Sequence, residues 1–181
     1  EDISSIHNKL QINRFKKIIN KCKSNKIKFH LINSGGIFNY PDCHFDYVRS
    51  GLSIYGISPY GKINKNLKPV MKFTAPIVLV KNIKKLDKVG YGCTYIAHNK
   101  MKIALAQCGY ADGIPYSFGN SAAVYYKNQK LPIIGKVSMD LICLDCSEME
   151  NIEENQEVVI WGDNLEETRL ENISKQFNCI P

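Results

Sequence analysis

One tyrosine in this chain is stripped of neighbours by its own sequence: Lys88 to Tyr95 reads KVGYGCTY, with Tyr91 between Gly90 and Gly92. Glycine on both sides permits positive φ and lets another chain or a ligand come close, so the stretch suits a bend that projects one side chain. A projected phenol could carry a proton to or from a substrate; an ordinary β-bulge is the competing reading. Other polar-glycine islands interrupt the apolar runs: HLINSGG at His30 to Gly36, VRSGLSIYG at Val48 to Gly56, and GYADGIP with GKVSMD downstream. In the first, Ser34 before two glycines would offer a hydroxyl and backbone N–H groups to an anion such as a phosphate, though any strand-to-helix turn has this look. In the second, Arg49 brings a guanidinium that stays protonated and Gly51 an open backbone; a surface ion pair is the alternative. Asp112 and Asp140 read as turn-fixing residues through Asx-type bonds. His30 reads as a hydrogen-bonded core histidine, and Trp161 with the remaining aromatics as core.

The elements that must position these residues follow from periodicity. Ile12, Phe15, Ile18, Ile19 and Cys22 recur at helical spacing, and CKSNK breaks the pattern before the apolar run FHLIN, giving helix, loop and strand. A further strand ends near Arg49 to Gly51, so helix and strand alternate as in an α/β layer or barrel. After SPYGKINKNLKP the pattern changes: APIVLVKNI, KIALAQCGY, SAAVYYKNQKLPIIGKVSMDLICLDC and QEVVIWG are β-rich, with turns at Asn99-Lys100 and Lys127 to Lys130. Thr168 stands three before Glu171, a capping-box spacing, ahead of Leu170, Ile173 and Phe177 at helical intervals.

Composition excludes several classes. The 181 residues, 44% hydrophobic and 23% charged, describe a globular chain. No apolar run approaches the roughly 20 residues that cross a bilayer, and the start lacks the order of a signal peptide, so a soluble intracellular protein with no membrane partner is expected. The formal net charge of +7 comes from scattered lysines without clustered arginine and stacking aromatics, which argues against nucleic acid as a partner. Seven cysteines, odd in number and spread singly, read as free buried thiols of a reducing compartment. CLDC has metal spacing but no second pair to complete four ligands, so no metal is expected.

Taken in order, VGYG with its following tyrosine, GYADG.P and G.VSMD resemble the alanine racemases of fold type III, pyridoxal-phosphate enzymes with an (α/β)8 barrel and a C-terminal β domain. The likeness runs through nearly the whole chain. It implies the C-terminal part of a cofactor-binding TIM barrel over residues 1–67, and a β-rich C-terminal domain over 68–181. It implies that Ser34 and the backbone at Gly51 and Leu52 hold the phosphate of pyridoxal 5'-phosphate. Arg49 would lie beside the pyridine nitrogen, where a cation that cannot release its proton weakens the cofactor as an electron sink and favours racemisation over transamination. Tyr91 resembles the tyrosine that moves the α-proton on one face of the substrate, opposite a lysine, and that enters the active site of the partner subunit in a homodimer. A phenol with an ordinary pKa of about 10 needs a nearby cation to act as a base at neutral pH. Tyr110 and Met139 resemble residues that bound the substrate, Met139 through its backbone N–H on the carboxylate; in isolation each reads as core. Tyr95 and Tyr55 read as support.

The expected reaction is conversion of L-alanine to D-alanine in the cytoplasm, supplying bacterial wall synthesis. A racemase for serine or a basic amino acid, and a non-catalytic relative that binds the same cofactor, are the alternatives. The family pattern departs in two places. No lysine here sits in the context of the lysine that holds the cofactor, so a fragment of a longer protein, inactive alone, is expected; and Tyr116 stands where an arginine often follows the proline of GYADGIP.

Overall fold

A computed structural model describes residues 3–22, 24, 26–163 and 165–179. They fall into two compact units, Glu1–Val70 with Leu170–Pro181, and Met71–Arg169.

In the first unit, helix α1 (Ile6–Lys21) begins earlier than its apolar periodicity suggests, because the Ser5 side chain accepts the N–H of His7 and caps the start. It ends where the N–H of Cys22 turns back to the Ile19 carbonyl, 2.9 Å. Phe15 meets the edges of Phe29 and Phe45, with centroids 6.3 and 5.3 Å apart. Strand β1 (His30–Asn33) pairs in parallel with β2 (Tyr47–Arg49), and helix α2 (Ser34–Asn39) follows β1 directly. This is the alternation that the sequence pattern predicts. Gly36 is forced by packing, since a Cβ there would lie 2.5 Å from the Cβ of Ile32.

Helix α3 (Leu170–Gln176) closes the described chain, but not with the capping box its spacing suggests. Thr168 lies buried in the preceding turn, its hydroxyl donating to the Leu165 carbonyl at 2.7 Å. The Glu171 carboxylate, fully buried, accepts the N–H of Ser58 at 2.9 Å. A hydrogen-bond acceptor within reach of a buried N–H outweighs a local cap.

The second unit is a closed antiparallel barrel in the order β10-β3-β6-β9-β8-β7. Its strands are β3 (Phe73–Ile83), β6 (Met101–Ala106), β7 (Ala123–Tyr126), β8 (Gln129–Ile134), β9 (Ile142–Asp145) and β10 (Glu157–Trp161); a separate ribbon joins β4 (Lys88–Val89) to β5 (Tyr95–Ile96). β3 is long enough to serve two neighbours, its start pairing β10 and the remainder β6, with a register shift between Ile77 and Leu79. Antiparallel pairing of β10 with β7, in register at Val159 and Tyr125, closes the barrel. Lys127 and Asn128, at φ 47 and 66, make a two-residue turn between β7 and β8, shorter than the Lys127 to Lys130 turn expected from the sequence, because Gln129 and Lys130 already pair with Tyr126 and Tyr125 in β8. Alternating inward residues, among them Ile77, Val124, Leu131, Leu144 and Val158, are completely buried and fill the interior.

The thiols divide. Cys43, Cys108, Cys143 and Cys146 are buried, but Cys93 and Cys179 are exposed. Cys93 rides the turn that begins at Tyr91, and Cys179 follows the end of α3. Burial pushes the thiols of Cys108 and Cys143 up to about 12 and that of Cys146 up to about 11. Trp161 is half-buried, its ring edge-on to Phe73 at 4.7 Å.

Candidate active site

The residues singled out in the sequence form two groups, one in each unit. In the first unit the end of β1 delivers Ser34, buried to 5% exposure, at the start of α2. The Asn33 side chain accepts the Gly36 N–H at 3.2 Å, which fixes the turn. The Ser34 hydroxyl oxygen accepts two backbone bonds, from Gly51 at 2.8 Å and from Ser53 at 3.3 Å. Both of its acceptor positions are then used, and its own proton is left to donate elsewhere. Leu52 opens the short turn Leu52–Tyr55, which ends at Gly56 in left-handed backbone. The Ser53 hydroxyl is buried and has no partner among the described residues.

Arg49, paired in register with Asn33 at the end of β2, is held at two points. One guanidinium nitrogen donates to the Leu31 carbonyl at 3.1 Å, and the other lies 2.6 Å from Nδ1 of His30. Because guanidinium only donates, Nδ1 must accept, which puts the imidazole proton on Nε2. His30 is therefore an exposed partner of Arg49 and not a core histidine; parallel pairing of β1 and β2 brings together two side chains that lie 19 positions apart. A cavity of ≈ 210 Å³ lies alongside, lined by Ile12, Leu31, Asn33, Gly35, Arg49 and Tyr60. The Tyr60 hydroxyl donates to the Gly35 carbonyl and accepts from the Asn39 amide. Burial raises the Tyr60 phenol pKa, a rise that the Asn39 bond opposes and nearby Tyr40 adds to. No local signal in the sequence ties Tyr60 to this turn.

In the second unit, Gly90 (φ 73, ψ −179) and Gly92 (φ 68, ψ 12) take backbone conformations that suit glycine, and Tyr91 between them is 59% exposed. Its hydroxyl makes no hydrogen bond among the described residues. The turn lies against the 135–136 backbone: a Cβ on Gly90 would be 3.1 Å from the Lys136 nitrogen, and one on Gly92 would be 3.8 Å from the Lys136 ammonium. Lys136 also stands over the Tyr116 ring, 5.8 Å from its centroid, and Tyr116 is edge-on to Tyr110 at 6.4 Å. This cation beside the Tyr91 turn is absent from the sequence reading, because only the fold brings positions 92 and 136 together.

Tyr110 and Met139 meet through their backbones. The Tyr110 N–H donates to the Ser138 carbonyl and the Ala111 N–H to that of Met139, both at 3.0 Å. A Cβ on Gly109 would lie 2.2 Å from the Met139 oxygen, so glycine is required for this approach. Asp112 accepts the Gly109 N–H at 2.9 Å, the turn-fixing bond expected of it, whereas Asp140 makes none among the described residues. With 43% and 51% exposure, Tyr110 and Met139 are not core side chains. The Met139 N–H has no protein acceptor among the described residues, which leaves it available to an anion. Tyr95 is half-buried, its hydroxyl donating to the Met101 sulfur at 3.7 Å.

Comparison with known proteins matches residues 70–181 to the alanine racemase C-terminal domain and residues 1–59 to the alanine racemase N-terminal domain. The alanine racemase of Vesicomyosocius okutanii is 40% identical over 99% of this chain and 49% of its own. That of Coxiella burnetii (strain CbuG_Q212) is 38% identical over 86% of this chain and 44% of its own. The crystal structure of alanine racemase from Bartonella henselae, described as containing covalently bound pyridoxal phosphate, superposes with a TM-score of 0.88 at 34% identity, covering 99% of this chain and 49% of that one. The chain thus spans about half the length of the relatives it matches. The barrel part followed by a β domain, expected from the sequence, is the fold of this family.

Proposed function

We propose, from the premise that this chain belongs to the alanine racemase family, that the protein interconverts L-alanine and D-alanine with pyridoxal 5'-phosphate as cofactor. The observation that carries the reading is Tyr91: an exposed phenol with its hydroxyl uncommitted, held out by two glycines in left-handed backbone. A side chain kept this bare has no packing role to explain it.

The residues present fit the cofactor. Ser34 has both acceptor positions filled and its O–H left to donate, so that a phosphate oxygen at the start of α2 would accept its hydrogen bond. Gly51 and Leu52 supply the backbone that shapes the turn. Arg49, clamped by His30 and the Leu31 carbonyl, would lie at the pyridine nitrogen and keep that nitrogen unprotonated. When bound, pyridoxal phosphate supplies the electron withdrawal that makes an α-proton removable. Tyr91 gives or takes that proton at Cα on one face, and the Lys136 ammonium lies beside the turn that carries it. The free Met139 N–H receives the substrate carboxylate, and Tyr110 limits the space beside it. A homodimer with shared sites and a cytoplasmic location complete the proposal; among the described residues no helix is long and apolar enough to cross a membrane.

The test is α-proton exchange of L-alanine in deuterated water by the full-length protein loaded with pyridoxal phosphate, followed together with loss of optical rotation. Exchange with racemisation is expected. Bound cofactor without exchange of alanine or serine would leave a binding protein in place of an enzyme.

A further inference from the structure

We propose that the hydroxyl of Ser53 is a further ligand of the cofactor phosphate, donating to it beside Ser34; this deepens the cofactor reading above and rests on it.

The Ser53 hydroxyl oxygen is buried and meets no hydrogen-bond partner among the described residues. Leaving a buried hydroxyl unpaired costs stability, and folded proteins rarely accept that without a use for the group. Its position supplies the use. The Ser53 N–H donates to the Ser34 hydroxyl oxygen at 3.3 Å, so Ser53 is already bonded to the residue with an uncommitted proton. Gly51, two residues earlier, donates to the same oxygen at 2.8 Å. Two backbone donors fill the acceptor capacity of Ser34, and neither serine can satisfy the other through a Ser34 lone pair. Two hydroxyl protons therefore stand on bonded neighbours, Ser34 at the start of α2 and Ser53 in the turn Leu52–Tyr55, each in need of an acceptor. A phosphate meets both needs at once: it carries several acceptor oxygens, and its charge makes each O–H···O⁻ bond about twice as strong as a neutral one. The ligand class is thus an anion rich in acceptors and poor in donors; an ammonium or an amide would bring donors where donors already stand.

The experiment titrates full-length protein, stripped of cofactor, with pyridoxal 5'-phosphate and separately with pyridoxal, which lacks the phosphate. Absorbance follows binding to the wild type, Ser53→Ala and Ser53→Thr. Ser53→Ala is expected to weaken binding of the phosphorylated compound about tenfold, the range of one charge-assisted hydrogen bond. Its binding of pyridoxal should be unchanged, and its melting temperature without cofactor equal to or above that of the wild type, because an unpaired buried group has been removed. Ser53→Thr keeps a hydroxyl and should bind the phosphorylated compound more tightly than Ser53→Ala. The proposal is overturned if Ser53→Ala binds pyridoxal phosphate like the wild type, if both ligands weaken in parallel, or if its cofactor-free melting temperature falls. Wild-type protein that binds neither compound overturns the cofactor reading itself, and this inference with it.

Discussion

The two units place their chemistry by opposite means. In the barrel of residues 71–169, strands close on themselves around an interior of fully buried side chains. The proposed proton-transfer residue then rides a glycine turn outside that interior. In the first unit the buried apolar residues among those described are Ile32, Cys43 and Ile57, and α1 buries none of its residues. Its proposed site is held by hydrogen bonds: Asn33 to Gly36, Ser34 to Gly51 and Ser53, Arg49 to His30 and Leu31. One region separates stability from the function proposed for it; in the other the same bonds would provide both.

That contrast can be broken most forcefully at the barrel core. Leu131→Ala should cost about 2–5 kcal/mol, as for other fully buried leucines, and urea denaturation of the barrel unit measures it; a loss below 1 kcal/mol would mean the interior is not close-packed. Tyr91→Phe in the full-length protein should lower turnover roughly 100-fold or more while leaving that denaturation midpoint in place. Equal losses of both would erase the separation proposed for this unit.

Raised thiols make the barrel sensitive to base. Cys108, Cys143 and Cys146 ionise near their ordinary value of 9.0 when unfolded but only near 11 to 12 when folded. Between those values the unfolded chain binds fewer protons, so stability is full below pH 9 and falls as pH rises toward 12. Denaturation midpoints at pH 8 and pH 10 should show the drop, and serine at all three positions should flatten it. Gly90→Ala is a smaller probe: an alanine held at the backbone angles of Gly90 should cost about 1–3 kcal/mol, or else tilt Tyr91 and reduce turnover without unfolding the barrel. Leu10→Ala, on an exposed face of α1 with 45% exposure, should change stability by no more than about 0.5 kcal/mol.

The sequence made the alternation of helix and strand legible, along with the β-rich second part and the place of the turn after Tyr126, though not its length, because these depend on residues close together in the chain. Tyr91 was legible for the same reason, since its two glycines are its neighbours. What escaped depended on pairing across distance. His30 looked like core until β1 lay beside β2 and brought it to Arg49. Thr168 looked like a cap until its hydroxyl met Leu165 and Glu171 turned to Ser58. Lys136 belonged to a motif, yet its place against the Tyr91 turn came only with the fold.

The order of strands in the barrel also sets a timetable. β3 begins at Phe73, and its first neighbour, β10, ends at Trp161. A ribosome adding roughly 5–20 residues per second takes several seconds to cover that stretch. Throughout it the first half of β3 has an open edge, able to pair with any strand that passes. The newborn chain is therefore most vulnerable to aggregation while it waits for β10, and slow translation between these strands would prolong the wait.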